Sequence, residues 1–100
     1  MPFATPAPTL QYQSTPSNFG PITSPAPIAL ALYDALYIQN LGTNPLFVKR
    51  GLGATTGSFS YIVAGGTSTD DGLGGSLVID DFIGSVSFTG SAPRYNAWKR

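Results

Sequence analysis

Residues from about position 33 onward alternate between apolar and small polar side chains. In residues 84–90, Val86 and Phe88 point to one face, while the serine and threonine side chains between them point to the other. Residues 58–63 repeat this period of two, which is the periodicity of a half-buried β-strand. Shorter apolar runs of the same kind are predicted as strands at residues 46–49, 77–79 and 95–98.

The run from Ile28 to Ile38 is compatible with two structures. Its first residues alternate large and small side chains as a strand does, whereas its alanines, its leucines and Asp34 would also suit a short helix. We favour a strand because the run continues into Asn40-Leu41-Gly42, which is typical of a turn. Five or six strands at intervals of roughly ten residues, joined by glycine-rich connections, predict an all-β fold. We expect a small antiparallel sandwich or barrel.

The chain divides in two by composition. Residues 1–33 carry no charged side chain and contain seven of the nine prolines, whereas eleven of the twelve glycines lie after residue 40. Because proline restricts its own φ and the conformation of the residue before it, we predict an extended Pro-rich arm over residues 1–33. A compact β domain is predicted over residues 34–100. The alternative for the arm is a disordered linker.

Large apolar residues are spaced along the predicted arm. An uncharged segment with such side chains is a poor solubilising tail, but it would fit a groove on another protein surface. We therefore predict that these residues are partner-binding anchors: Phe3, Leu10, Tyr12, Phe19 and Ile22.

The charge balance excludes several classes of partner. Five basic and five acidic side chains cancel to a net charge of zero, and charged residues make up only 10% of the chain. Nucleic acids and anionic membranes are both captured by a basic excess, so neither is expected as a partner. No apolar stretch reaches the length that spans a bilayer. The chain has no cysteine, so the redox compartment cannot be inferred.

Residues that could carry catalysis are few. The chain has no histidine, so a nucleophilic serine would lack its usual general base. Adjacent residues of a strand point to opposite faces, so neither Asp70-Asp71 nor Asp80-Asp81 converges on one substrate. We predict that the protein is not an enzyme and has no cofactor or metal site. Calcium binding by the Asp70-Asp71 loop stays open as an alternative, although the loop lacks the usual order of calcium ligands.

The aromatic residues have two interpretations, because such side chains either stack on sugar rings or fill a small core. We assign Phe59, Tyr61 and Phe88 to the core and leave Trp98 open. The residues considered for a sugar-binding surface are Tyr33, Tyr37, Tyr61, Tyr95 and Trp98.

Basic residues gather near the C-terminus, around the single tryptophan. This cluster is either a solvated chain end or a contact to an acidic patch on a partner. The residues of this possible partner contact are Arg94, Trp98, Lys99 and Arg100.

Residues 37–49 resemble the opening of small β domains found in tailed-bacteriophage virion proteins. In those domains a strand ends in an Asn-Leu-Gly turn, and the next strand follows Asn-Pro with a run such as Leu-Phe-Val-Lys; both motifs occur here. Gly84-Ser85-Val86-Ser87 and the later Pro93-Arg94-Tyr95 fit the same pattern, so the resemblance covers residues 36–100.

The resemblance implies a small capsid decoration, or cement, protein. Such proteins are commonly compact β domains, often trimeric, with N-terminal arms that lie across neighbouring capsid subunits. We therefore expect a non-catalytic protein at the capsid surface of a virion, with the major capsid protein as its partner. We also expect it to form a homo-oligomer, with a trimer as the favoured oligomeric state. The alternatives are a receptor- or glycan-binding module of a phage tail or fibre, and a neck or adaptor component.

Overall fold

The computed structural model describes residues 17–18 and 20–100 of the chain. These residues form eight β-strands, and none of them belongs to a helix that is long and apolar enough to cross a membrane. The strands are β1 (Ser17–Asn18), β2 (Ile28–Leu30), β3 (Leu36–Asn40), β4 (Leu46–Arg50), β5 (Tyr61–Val63), β6 (Ser76–Ile79), β7 (Gly84–Gly90) and β8 (Tyr95–Lys99). The predicted all-β fold is confirmed.

The strands pair from the two ends of the described chain inward. β1 pairs with β8, β2 with β7, β3 with β6 and β4 with β5, and every pair is antiparallel. This order of pairing is that of one long antiparallel ribbon. The β3–β8 and β4–β7 pairs then fold the ribbon into two 4-stranded sheets. The first sheet has the order β1-β8-β3-β6 and the second β2-β7-β4-β5, so the sandwich is a jelly roll.

The core lies between the two sheets because alternate side chains of each strand point inward. In β3, Leu36 and Ile38 are buried, while Tyr37 between them faces outward and is half-buried. Phe88 of the second sheet and Tyr95 of the first meet across the gap, with ring centroids 4.9 Å apart. Burial of a large apolar side chain contributes about 1.5–3 kcal/mol. The core residues are Ile28, Leu30, Leu36, Ile38, Leu46, Val48, Val63, Ile79, Val86, Phe88, Tyr95 and Ala97.

The run from Ile28 to Ile38 forms two strands rather than one. β2 and β3 belong to different sheets, and residues 31–35 turn the chain between them. The periodicity does not reveal this crossing because the even-numbered residues of both strands are buried in the same core.

The sandwich begins before residue 34, which differs from the predicted boundary between residues 33 and 34. Ile28 and Leu30 of β2 belong to the core, Ile22 forms an antiparallel bridge with Tyr95, and β1 pairs with the end of β8. Proline and the lack of charge set residues 1–33 apart in composition. Neither property prevents pairing at the edge of a sheet, where β1 and β2 lie.

Phe59 lies outside the core, so its predicted position is wrong. β5 begins only at Tyr61, and the ring of Phe59 packs edge-on against Phe47 on the outer face of the second sheet, with centroids 5.1 Å apart. The core position of Phe88 is confirmed, and Tyr61 is partly buried against the core. The alternation of residues 58–63 extends beyond the strand because a loop can carry the same pattern by chance.

Candidate binding surfaces

Successive connections of the antiparallel ribbon lie at opposite ends of the sandwich. The Tyr33 end consists of the β2–β3, β4–β5 and β6–β7 connections, which are residues 31–35, 51–60 and 80–83. The Asn40 end consists of the β3–β4, β5–β6 and β7–β8 connections, which are residues 41–45, 64–75 and 91–94. The two ends present different chemistry: exposed apolar side chains at the first, and hydrogen-bonded polar loops at the second.

A tight turn at the Tyr33 end presents two large apolar side chains to solvent. The Asp34 amide donates to the Ala31 carbonyl over 3.0 Å, and the Asp34 carboxylate accepts from the Ala31 amide over 2.8 Å. Between them, Leu32 is 62% exposed and Tyr33 is 92% exposed. Tyr33 has a φ of 69°, in the left-handed region that bulky residues rarely occupy.

The β6–β7 connection lies beside this turn and is held by Arg50. The Arg50 guanidinium donates to the Asp81 carbonyl and carboxylate over 3.1 and 3.0 Å, and it lies 5.2 Å from the centroid of the Phe82 ring. Ile83 is 63% exposed. Residues 32–34 and 80–83 together line a hollow of about 260 Å³.

At the opposite end, the buried side chain of Asn40 joins three backbone segments. Its amide nitrogen donates to the carbonyls of Asn44 and Val63, both over 2.9 Å, and its oxygen accepts from the Gly42 amide over 2.9 Å. Asparagine suits this position because it offers both donors and an acceptor. The Asn40 side chain therefore fixes the β3–β4 connection against the end of β5.

The Asp70-Asp71 loop uses both carboxylates to hold itself together. Asp71 accepts hydrogen bonds from the Thr67 hydroxyl and amide and from the amides of Ser68 and Leu73, and these bonds, the Thr67 hydroxyl first, lower its pKa. Hydrogen bonds from Arg94, both 2.8 Å long, likewise lower the pKa of Asp70. The carboxylate oxygens that calcium would need already face donors, so the geometry gives the calcium alternative no support.

The residues of the predicted C-terminal contact do not form one cluster. Arg94 pairs with Asp70 at the Asn40 end. Lys99 and Arg100 lie at the other end of β8, where Lys99 donates to the Ala29 carbonyl over 3.2 Å and lies 3.8 Å from the Asp34 carboxylate.

Trp98 lies on the outer face of the first sheet and does not belong to the core. Its ring stacks on that of Tyr37, with centroids 5.6 Å apart and an angle of 7° between the planes. Arg100 donates to the Tyr37 hydroxyl over 3.3 Å, and its guanidinium carbon is 5.8 Å from the centroid of the Tyr37 ring. All four predicted contact residues thus make bonds or ring contacts within their own chain.

Ile22 is predicted from the sequence as an arm anchor, but in the structure it lies in the sandwich. Its amide donates to the Tyr95 carbonyl over 2.7 Å, its carbonyl accepts from the Tyr95 amide over 3.1 Å, and its side chain packs against the core. It is part of the sandwich because β1 pairs only with Trp98 and Lys99 of β8, so the Tyr95 backbone can pair with Ile22. The other predicted anchors, Phe3, Leu10, Tyr12 and Phe19, lie outside the described residues.

Residues 17–18 and 20–100 contain no cluster of metal-ligating side chains. No group of three or more acidic, histidine or cysteine side chains in this part of the chain could hold a metal ion. The hydroxyl of Tyr95 is buried without a hydrogen-bond partner, and burial raises its pKa. It lies in the closed core between the sheets, where no substrate reaches it.

The residues predicted from the sequence include Tyr33 as a candidate aromatic residue, but neither Leu32 nor Ile83. A signal was present in the pair Leu32-Tyr33, because two adjacent large side chains in an extended segment cannot both face one core. For Ile83, the sequence contains no comparable signal, since its exposure depends on the turn at Asp80-Asp81 and on Arg50.

Comparisons of sequence and structure with known proteins found no similar protein. No family model matches the chain, and no curated protein or solved structure is significantly similar to it.

Proposed function

We propose that this chain is a non-catalytic structural protein of a virion, which binds the outside of a phage capsid and stabilises it. The observation that carries the proposal is the exposed apolar surface. Eight large apolar side chains are exposed in the described part of the chain, and five of them lie at the Tyr33 end: Leu32, Tyr33, Leu52, Phe59 and Ile83. Exposed apolar side chains that gather in one region are typical of interaction sites.

The fold agrees with this proposal. Jelly rolls occur in viral capsid domains and in lectins. Because a fold does not by itself fix a function, the jelly roll is compatible with glycan binding as well as with capsid binding. The resemblance of residues 36–100 to phage virion domains favours the capsid.

Residues 1–16 remain the proposed arm. They carry no charge and contain three of the predicted anchors, Phe3, Leu10 and Tyr12. We propose that these side chains occupy apolar pockets on neighbouring capsid subunits. Their burial would strengthen the contact by about 1.5–3 kcal/mol each, partly offset by the entropy lost in ordering the arm.

Self-association is part of the proposal, with a trimer as the expected state. The outer face of the second sheet offers an apolar patch of Phe47, Phe59 and Ile62, of which Ile62 is 56% exposed. We expect this patch to form the contact between copies. Analytical ultracentrifugation of the wild type and of Ile62→Ser tests it: a wild type that sediments as a monomer contradicts the expectation.

Heads of the encoding phage that lack this protein provide the test of capsid binding. We expect the full chain to bind them at a fixed copy number and to raise the temperature at which they release DNA. The arm is tested by Leu10→Ser with Tyr12→Ser, which should weaken binding, against Gln11→Ser as the control. A full chain that does not bind the heads contradicts the proposed function.

Glycan binding is the second candidate, as in a receptor-binding module of a tail or fibre. It is favoured by the outward-facing stack of Tyr37 and Trp98. It ranks second because Arg100 already contacts Tyr37, which leaves less of the aromatic surface open to a sugar. A glycan array separates the two functions: binding by the wild type and its loss in Trp98→Ala would support this candidate.

A further inference from the structure

Tyr33 has a strained backbone conformation, although its side chain is not buried against the rest of the chain. Its φ of 69° lies in the left-handed region, yet its side chain is 92% exposed. Asparagine or glycine would adopt this φ at lower cost. Backbone strain that is not offset by packing within the chain is typical of functional positions.

Contacts within the chain hold both loops around Tyr33. Asp34 holds the turn that carries Leu32 and Tyr33 through hydrogen bonds in both directions with Ala31. Arg50 holds the neighbouring loop through Asp81 and through the ring of Phe82. A surface that is already ordered loses little conformational entropy on binding.

Asp80 is the carboxylate of this surface that has no hydrogen-bond partner among the described residues. The other four carboxylates of the chain accept hydrogen bonds, from Ala31 to Asp34, from Arg94 to Asp70, from the loop amides to Asp71 and from Arg50 to Asp81. Asp80 lines the same hollow as Tyr33, and no described residue pairs with it. A partner that covers this surface must therefore supply a cation or leave the carboxylate desolvated.

We propose that Leu32, Tyr33 and Ile83 insert into an apolar cleft of the capsid shell protein, and that a lysine or arginine at the rim of the cleft pairs with Asp80. This inference rests on the proposed function and names the surface and chemistry of its contact. A protein suits this surface because a protein cleft can offer both an apolar lining and a cation at its rim.

A second copy of the chain fits this surface less well. Each of the five cationic side chains already donates a hydrogen bond within its own chain. In a copy, the cation that reached Asp80 would have to share its N–H donors with the partner it already has, whereas a different protein brings a cation of its own.

The test measures binding of full-length variants to heads that lack the protein. Leu32→Ser with Tyr33→Ser should bind at least ~30-fold more weakly, the loss expected for residues that dominate an interface. Leu73→Ser is the matched control, because Leu73 is 68% exposed but lies at the Asn40 end. It should bind like the wild type, and urea unfolding of every variant checks that the fold is intact.

The charge is tested by Asp80→Asn and Asp80→Lys in the same assay. We expect stepwise weaker binding, and for Asp80→Asn also a weaker dependence of affinity on salt, as for other pairs at the rim of an interface. Normal binding by all Tyr33-end variants would overturn this inference and leave the proposed function standing. A wild type that does not bind overturns both, and a change in sedimentation caused by the double variant would identify a contact between copies and overturn it as well.

Discussion

At the Asn40 end, one buried amide side chain holds three backbone groups, whereas at the Tyr33 end a tyrosine in a left-handed conformation exposes 92% of its side chain. Both ends are loops of the same rolled ribbon. At the first end, polar side chains are satisfied by hydrogen bonds within the chain, and at the second end, large apolar side chains are left exposed. From this difference we expect the larger contribution to stability at the Asn40 end, and we place the proposed partner contact at the Tyr33 end.

The largest effect is expected at Asn40. Asn40→Ala leaves the Gly42 amide and the Val63 and Asn44 carbonyls without their partner, which should lower the free energy of unfolding by about 3 kcal/mol or more. Urea unfolding measures this. Gln39→Ala, the neighbour on the outer face of β3, is the control and should change stability by less than about 0.5 kcal/mol. Equal stability of the two variants would remove the distinction between the ends.

Glycines at the two ends provide a second contrast. A Cβ at Gly74 would collide with the carbonyl oxygen of Asn40, so Gly74→Ala should cost about 2 kcal/mol through a forced backbone shift. A Cβ at Gly57, at the Tyr33 end, meets no atom within 4 Å. Gly57→Ala should be neutral or slightly stabilising because it restricts the unfolded chain. Thermal unfolding of both variants compares them, and a tolerated alanine at Gly74 would show that this end is not closely packed.

Acid should weaken the Asn40 end through Asp71. The pKa of Asp71 in the folded chain lies below the ordinary aspartate value of 3.8, so its contribution to stability is complete above that pH and is lost as the pH falls below it. The melting temperature of the wild type should therefore fall on acidification from about pH 5 to pH 2, and that of Asp71→Asn should fall less. Asp80→Asn, which removes a carboxylate without a hydrogen-bond partner, should keep the wild-type dependence. An unchanged profile in Asp71→Asn would contradict the role of the loop hydrogen bonds.

The smallest effect on stability is expected at Tyr33. Tyr33→Asn relieves the left-handed strain and removes an exposed side chain, so it should stabilise the protein by up to ~1 kcal/mol. Tyr37→Asn, which loses the stack on Trp98, should instead destabilise it. Urea unfolding distinguishes these outcomes. If Tyr33→Asn proves the more damaging of the two, Tyr33 has a structural role and the comparison fails.

Part of the Tyr33 surface could be recognised from the residues alone. Tyr33 belonged to the candidate aromatic set, and Asp80-Asp81 was identified as a carboxylate pair. The convergence of Leu32, Tyr33 and Ile83 could not be predicted, because about fifty residues separate the two loops and only the rolled topology brings them together. The C-terminal basic residues show the reverse case: they are close in sequence, yet β8 carries them to opposite ends of the sandwich.

The order of residues along the chain determined that this protein is all-β, since a period of two and glycine-rich connections act over a few neighbouring residues. It also determined which side chains of each strand could share a face. Only the tertiary structure decided that Ile28–Leu30 and Leu36–Asn40 enter different sheets, that Ile22 joins the sandwich, and that hydrogen bonds gather around Asn40 at one end while most of the exposed apolar side chains lie at the other. These outcomes depend on pairing between distant strands, and local alternation is the same whichever partner a strand finds.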